Sequence, residues 1–161
     1  MELIVEQIIH KKYVGRKFLL DLAKHERLQE NTQIIYFYSA IMEEINYPIK
    51  PGKTLYIGEA CRKKSPTGER FKHIGPNLTT ANDYTSNYTL TTFYELCKPI
   101  NLQIYEVPKN NSRKELEEAF IRLHMKMFGA VPIAQGATGQ NTTPKTINSL
   151  LQSYNGLEEY L

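Results

Sequence analysis

Apolar and polar positions along the chain form segments that predict three strands and several helices. Three runs rich in Ile, Tyr, Phe, Leu and Val, over residues 32–39, 54–59 and 100–107, have the composition typical of strands. Pro48, Pro51 and Gly52 punctuate a loop between the first two runs. Three strands interspersed with helices predict a small α+β domain.

Helical spacing is the second signal in the pattern. Apolar positions in residues 2–28 recur at roughly helical spacing, which predicts an N-terminal helical extension over residues 1–30 with a break at Gly15. The stretch Ser112-Arg113-Lys114-Glu115 is a capping box, and we expect the helix that it opens to run to Phe128. The remaining expectations are a short helix around 68–74, a polar loop over 77–87, a helix over 88–98 and a C-terminal helix over 143–155.

Length and composition indicate one globular domain. The chain has 161 residues, a net charge of +3 and no apolar run of the length that crosses a bilayer. Residues 1–12 do not have the pattern of a secretory signal. Cys61 and Cys97 have no CxxC spacing, so we expect reduced thiols in a cytoplasmic protein and no zinc site.

Basic residues are concentrated in two clusters. The first comprises His10, Lys11, Lys12, Arg16, Lys17, Lys24 and Arg27, and the second comprises Arg62, Lys63, Lys64, Arg70 and Lys72. Either cluster can be an ordinary solvated surface. The second directly follows a predicted strand that carries motif residues, and this position favours phosphate contact.

Two strings on the first two predicted strands carry a family resemblance. Gln33-Ile34-Ile35-Tyr36-Phe37-Tyr38 and Thr54-Leu55-Tyr56-Ile57-Gly58-Glu59-Ala60 resemble the two signature strands of the GIY-YIG nuclease family, with Ile34 where the family usually has Gly. The resemblance covers residues 32–135. It implies a three-stranded antiparallel sheet flanked by helices, and a divalent-metal-dependent endonuclease that cleaves a phosphodiester by in-line attack of water.

The resemblance also implies roles for five residues. Tyr36 would activate the attacking water, and Tyr56 would assist it. Arg70 would stabilise the charge of the transition state, and His73 would orient a phosphate or the general base. Glu117 would hold Mg²⁺ or Mn²⁺. Each has a plainer alternative: a packing tyrosine in a strand, a surface histidine, or a carboxylate paired with Lys or Arg.

Spacing bears on two choices: it leaves Arg62 open beside the preferred Arg70, and it favours Glu117 over Glu118. The interval from Tyr56 to Arg70 is longer than in compact family members, and Arg62 is the alternative arginine. On the capping-box helix, Glu117 flanks the apolar stripe, whereas Glu118 faces Arg122 at i+4, as in an ordinary exposed pair. The stripe consists of Leu116, Phe120, Leu123 and Met127.

The predicted DNA contacts surround these strands. Gly58 would allow close approach of backbone or substrate. Gln135 stands where family members often have Asn, with Asn141 as a more distant candidate. The other predicted DNA-binding residues are Arg62, Lys63, Lys64 and Lys72.

These features favour a stand-alone, restriction-type endonuclease that acts on DNA, with a homodimer as the form that cuts both strands. Two alternatives remain open. The chain could be a non-catalytic nucleic-acid-binding domain that keeps the fold. It could also be an interaction module in which both tyrosine strands are simply core.

Overall fold

The computed structural model describes residues 1–73, 88–96, 98–136, 149, 152 and 156–161. The strands are β1 (Glu2–Ile9), β2 (Ile34–Ala40), β3 (Ile45–Asn46), β4 (Pro51–Gly52), β5 (Thr54–Ala60) and β6 (Ile100–Glu106). The helices are α1 (Arg16–Asp21), α2 (Tyr88–Glu95) and α3 (Arg113–Phe128). Three 3-10 helices span Leu22–Lys24, Thr67–His73 and Leu157–Tyr160.

The main sheet has four antiparallel strands in the order β1-β6-β2-β5. The predicted strands correspond to β2, β5 and β6, but the expected three-stranded sheet is wrong. The additional strand is β1, which pairs with β6 from Glu2 opposite Glu106 to Ile9 opposite Ile100. The α+β class itself is confirmed, with a second, two-stranded sheet formed by β3 and β4 where a loop was predicted.

The N-terminal error has a physical reason. The β1 sequence ELIVEQII has apolar residues at helical spacing, but it is also rich in the β-branched residues that pack well on a sheet. Val5 and Ile9 are four residues apart, so the alternation of a strand places both on the face that packs in the core. Of the predicted helical extension, only α1 and the 3-10 helix Leu22–Lys24 are helical.

The inner strand β2 is covered on both faces, which explains its continuous apolar sequence. Tyr36 and Tyr38 face one side of the sheet, in a core shared with residues of α1, α2 and the 3-10 helix Thr67–His73. Ile35 and Phe37 face the other side and pack against α3. The alternation of a strand therefore sends the motif tyrosine away from α3.

Helix α3 has the boundaries that its sequence predicts. The Ser112 side chain accepts a hydrogen bond from Glu115 N at 3.4 Å, and Gly129 ends the helix in the left-handed conformation with φ of 84°. Met127 is only partly buried, whereas the other members of the predicted stripe are in the core.

The C-terminal residues pack on the same face as α3. The Tyr160 ring stacks against Phe37 with 6.1 Å between ring centroids, and Thr54 Oγ1 donates to Leu161 O at 2.9 Å. The predicted 77–87 loop and most of the predicted 143–155 helix lie outside the described residues. Within the described part of the chain, every helix is too short or too polar to cross a membrane.

Candidate active site

Three residues that are distant in sequence meet on the β2–β5 hairpin. Arg70 Nε donates a hydrogen bond to Tyr36 Oη at 3.0 Å. The Tyr56 hydroxyl lies against both the Arg70 guanidinium and the Tyr36 hydroxyl, and the two tyrosine ring centroids are 5.9 Å apart. Arg62, the alternative arginine, instead pairs with Glu69, with 3.6 Å between Nη1 and Oε2. The geometry therefore favours Arg70 as the arginine of the site.

Gly58 makes this cluster possible. It pairs with Tyr36 across the two strands, and the Tyr36 ring lies directly over it. A Cβ at position 58 would be 2.4 Å from Tyr36 Cζ and Oη and 2.6 Å from Tyr56 Cε1, well inside van der Waals contact. The close approach that was expected of backbone or substrate is here made by the two tyrosine rings.

The two tyrosines differ in their environment. Tyr36 is only 2% exposed and packs edge-on against Phe71. Burial raises the pKa of Tyr36 well above its ordinary value, and the nearby Arg70 charge offsets only part of that effect. Tyr56 keeps part of its surface in solvent. These surroundings do not favour Tyr36 as the proton acceptor, and they make Tyr56 the accessible hydroxyl.

Tyr38 extends the tyrosine cluster beneath the site. It is buried on the same face, with its ring centroid 5.9 Å from that of Tyr36. Its hydroxyl has no hydrogen-bond partner among the described residues, and burial raises its pKa. Tyr38 therefore packs under the site and does not reach solvent.

The 3-10 helix Thr67–His73 positions Arg70 through buried backbone contacts. Thr67 Oγ1 donates to Thr32 O at 3.0 Å, and Gly68 N donates to Leu28 O at 3.0 Å. A Cβ on Gly68 would be 1.9 Å from Leu22 O, so only glycine allows this approach. The long segment between Tyr56 and Arg70 is thus tied to the core at its end.

His73 is the last residue of this helix and lies one 3-10 turn after Arg70. Its side chain lies outside the described part of the structure. The role predicted for His73 therefore stays a prediction.

Glu117 lies on α3, which covers the face of the sheet opposite to Tyr36. Burial and the neighbouring Glu59 carboxylate raise the pKa of Glu117 to about 7, while the Arg70 and Arg113 charges oppose this shift. The influence of Arg70 indicates that Glu117 belongs to the same electrostatic environment as the tyrosine–arginine cluster.

Glu59 and Arg113 are site neighbours that the sequence analysis missed. Arg113 Nε forms an ion pair with Glu59 Oε2, and both side chains are largely buried. Two signals were available in the sequence. Glu59 directly follows Gly58 and so points to the face of the sheet that α3 covers. Arg113 precedes Glu117 by four residues, which places both on one helix face.

The burial of Glu118 differs from the exposed position that was predicted for it. Glu118 pairs with Arg122 as predicted, with 3.5 Å between Oε1 and Nη2, but it is only 3% exposed and is not an ordinary surface partner. The pair lies where α3 meets the core, and the Arg122 end is the exposed one.

The predicted DNA-binding lysines lie around the start of the 3-10 helix. Lys63 and Lys64 are exposed in the turn after β5. Lys72 Nζ is 2.6 Å from Glu69 Oε1, and Arg62 approaches the same carboxylate. The Lys72 ammonium and the Ser65 side chain hold the pKa of Glu69 below its ordinary value, with a smaller effect of Arg62, and the carboxylate partly neutralises both cations. Lys63 and Lys64 are therefore the more exposed of the predicted phosphate contacts.

Gln135 closes the outer edge of the sheet. Its Oε1 accepts a hydrogen bond from Ile57 N at 3.1 Å, and Ala134 N donates to Leu55 O at 2.9 Å. These bonds satisfy backbone groups that an edge strand would otherwise expose. The side-chain oxygen of Gln135 is therefore occupied by a hydrogen bond within the fold.

The residues around Glu117 are compatible with a divalent cation. Within the described residues no three His, Cys, Asp or Glu side chains cluster as a complete ligand set. Glu117 and Glu59 supply carboxylate oxygens, and Mg²⁺ is commonly held by one or two carboxylates with water and phosphate oxygens. Burial is the main cause of the raised pKa of Glu117, and a bound cation would favour its charged form.

Comparison with known proteins found no protein similar to this chain. No protein-family model, curated protein or solved structure matches this chain. The resemblance to GIY-YIG nucleases therefore rests on the motif residues of the sequence alone and stays a prediction.

Proposed function

We propose that this protein is a divalent-metal-dependent endonuclease that hydrolyses DNA phosphodiester bonds, and that it works in the cytoplasm as a stand-alone, restriction-type enzyme. The observation that carries the proposal is the contact of Arg70 with the paired tyrosines over Gly58. Glu117 adds support because its half-buried carboxylate senses the Arg70 charge.

Arg70 is the group that would bind the scissile phosphate. Tyr36 fixes its Nε, so the terminal nitrogens of the guanidinium fork remain for phosphate oxygens and for Tyr56. A positive charge held by a buried partner is preorganised, and it stabilises the charge that develops on the phosphorane without costly rearrangement. Tyr36 is thus proposed as a positioning residue for Arg70.

Tyr56 would handle the attacking water. Its partly exposed hydroxyl lies beside Arg70, whose charge stabilises negative charge that develops on the phenol oxygen. In its phenolate form Tyr56 would take a proton from a water that attacks phosphorus in line with the leaving 3′ oxygen, and the expelled 3′ oxygen would take a proton from bulk water. This replaces the role first predicted for Tyr36, whose raised pKa and burial disfavour proton transfer.

Glu117 would hold the cation, with Glu59 nearby and restrained by Arg113. A bound Mg²⁺ or Mn²⁺ would supply positive charge at the phosphate and at the leaving oxygen. The charged form of Glu117 is required for this, and metal binding should therefore favour its deprotonation.

The test compares cleavage of plasmid and single-stranded DNA by the wild type, Tyr56→Phe, Tyr36→Phe and Glu117→Gln, with Mg²⁺, Mn²⁺ or chelator. We expect metal-dependent cleavage by the wild type and losses of about 10²-fold or more in Tyr56→Phe and Glu117→Gln. Tyr36→Phe should retain more activity than Tyr56→Phe. DNA binding without cleavage by any metal would identify a non-catalytic binding domain, and the absence of both would favour an interaction module.

Oligomeric state belongs to the same proposal. A homodimer would place two sites on opposite strands of a duplex. Sedimentation with and without duplex DNA tests this, and a monomer that nicks only one strand would contradict it.

A further inference from the structure

The segment of the first basic cluster contains a large aromatic side chain, Tyr13, that is almost fully exposed. Residues 10–17, here called the Tyr13 loop, join β1 to α1, and Tyr13 is 82% exposed at their turn. The His10 ring lies beside it at a tilt, with 5.0 Å between the ring centroids. A large planar side chain thus projects into solvent.

Internal hydrogen bonds give the Tyr13 loop a defined shape. His10 N donates to Val14 O at 2.7 Å, and Tyr13 N donates to His10 O at 3.0 Å. Lys12 N donates to His10 Nδ1 at 3.2 Å. These bonds form a closed chain reversal that holds the Tyr13 backbone at its turn.

The loop is also anchored to α2. Arg16 N donates to Tyr94 Oη at 2.8 Å, and Lys11 forms an ion pair with Glu95. A Cβ on Gly15 would be 2.3 Å from Tyr94 Oη, so the backbone packs closely against this side chain. Anchoring lowers the conformational entropy that the loop would lose on binding a partner.

The charged side chains of residues 10–17 are all cationic. Residues 10–17 contain Lys11, Lys12, Arg16 and Lys17 and no Asp or Glu. Lys11 is paired with Glu95, whereas Lys12, Arg16 and Lys17 are exposed to solvent. An exposed aromatic ring among several cations suits a polyanion that also offers flat, stackable groups.

The Tyr13 loop lies on the same side of the sheet as the candidate active site. It leads directly into α1, and α1 packs against the 3-10 helix Thr67–His73, which carries Arg70. Helix α1 therefore links the Tyr13 loop to the 3-10 helix that carries Arg70.

We propose that the Tyr13 loop binds single-stranded or locally unpaired nucleic acid, with the Tyr13 ring stacked on one base and Lys12, Arg16 and Lys17 contacting the neighbouring phosphates. Stacking is tolerant of sequence because every base has a flat face. The inference rests on the proposed function only in taking nucleic acid as the partner, and it does not require cleavage. An anionic membrane is disfavoured because a single tyrosine ring offers little apolar area for insertion.

The test measures binding of a labelled single-stranded oligonucleotide and of its duplex by fluorescence anisotropy, in chelator so that nothing is cut. Tyr13→Ala should weaken single-strand binding about 5- to 150-fold, the effect of losing one stacked base, and should weaken duplex binding less. Tyr13→Phe should bind like the wild type because it keeps the ring. The matched control is Met42→Ala, which changes another side chain that is 82% exposed and should have no effect. Lys12→Ala and Lys17→Ala should each reduce the salt dependence of binding by about 0.7 in the log–log slope.

Three results would overturn this inference: unchanged single-strand affinity in Tyr13→Ala, an equal loss in Tyr13→Phe, or Tyr13-dependent binding to vesicles of anionic lipid but not to oligonucleotide. Glu117→Gln separates the two proposals because it should abolish cleavage and leave this binding intact. Tyr13-dependent binding by a wild type that never cleaves would refute the nuclease and support the stacking loop.

Discussion

The substitution Gly58→Ala tests whether the tyrosine pair and Arg70 form one packed unit. The new methyl group would lie 2.4 Å from Tyr36 Cζ and Oη, whereas carbon atoms normally stay about 3.5 Å apart. The Tyr36 ring would therefore have to move by about 1 Å. Tyr36 is 2% exposed, so there is no open space into which it can move without disturbing its neighbours.

The expected cost has two parts. Overpacking in a core typically destabilises by about 1–3 kcal/mol, and a displaced ring would weaken its 3.0 Å hydrogen bond to Arg70. Because Arg70 is partly exposed, water recovers some of that bond. We therefore expect a total loss of about 2–4 kcal/mol in the free energy of unfolding, together with loss of cleavage.

Urea denaturation measures this loss, and the chain offers a matched control. Gly136 has no atom within 4 Å of its built Cβ, so Gly136→Ala should change stability by no more than about 0.5 kcal/mol. In a Tyr36→Ala background the cost of Gly58→Ala should fall, with a remainder from the Tyr56 contact. If Gly58→Ala unfolds at the wild-type urea concentration and keeps its activity, the Tyr36 ring does not lie over Gly58 and the proposed cluster is incorrect.

Three further predictions concern the acid, the histidine and the cap of α3. In metal-free protein the Glu117 carboxyl should titrate with a pKa of about 7, as measured by ¹³C NMR. Added Mg²⁺ should lower this pKa because the cation binds the charged form. A pKa that does not change with Mg²⁺ would argue against a cation at Glu117. Burial lowers the pKa of His124, so its contribution to stability is complete above about pH 6.5 and is lost as the pH falls below that value. Urea midpoints at pH 7 and pH 5 should therefore differ more in the wild type than in His124→Gln. Ser112→Ala should cost about 0.5–2 kcal/mol of unfolding free energy by urea denaturation, whereas Ser112→Asp should be nearly neutral.

Sequence patterns were most informative where local chemistry determines structure. Helix α3 begins at Ser112 and ends at Gly129 because both caps are local features of the chain. Strand β2 was predictable because an inner strand is apolar on both faces. By contrast, β1 depends on a partner about 100 residues away in sequence, Glu2 with Glu106 for example, and its own periodicity also fits a helix.

The site shows the same division. The identities of Tyr36, Tyr56 and Arg70 came from a motif, and the fold brings these residues into contact. The exposure of each tyrosine was not predictable, because burial of Tyr36 depends on Phe71 and on helices from other parts of the chain. Glu59 was overlooked because an isolated carboxylate after a strand has no distinctive signal until Arg113 is seen beside it.

The central claim is that Glu117 and the Tyr56–Arg70 cluster form one metal-dependent site for phosphodiester hydrolysis. Its most direct test is the single-turnover rate of DNA cleavage in Mg²⁺ by the wild type and by Glu117→Gln, with Glu115→Gln as a control on the same helix. We predict cleavage by the wild type and Glu115→Gln, none in chelator, and a loss of about 10²-fold or more in Glu117→Gln. Equal rates for Glu117→Gln and the wild type, or no cleavage by the wild type with any divalent metal, would contradict the account.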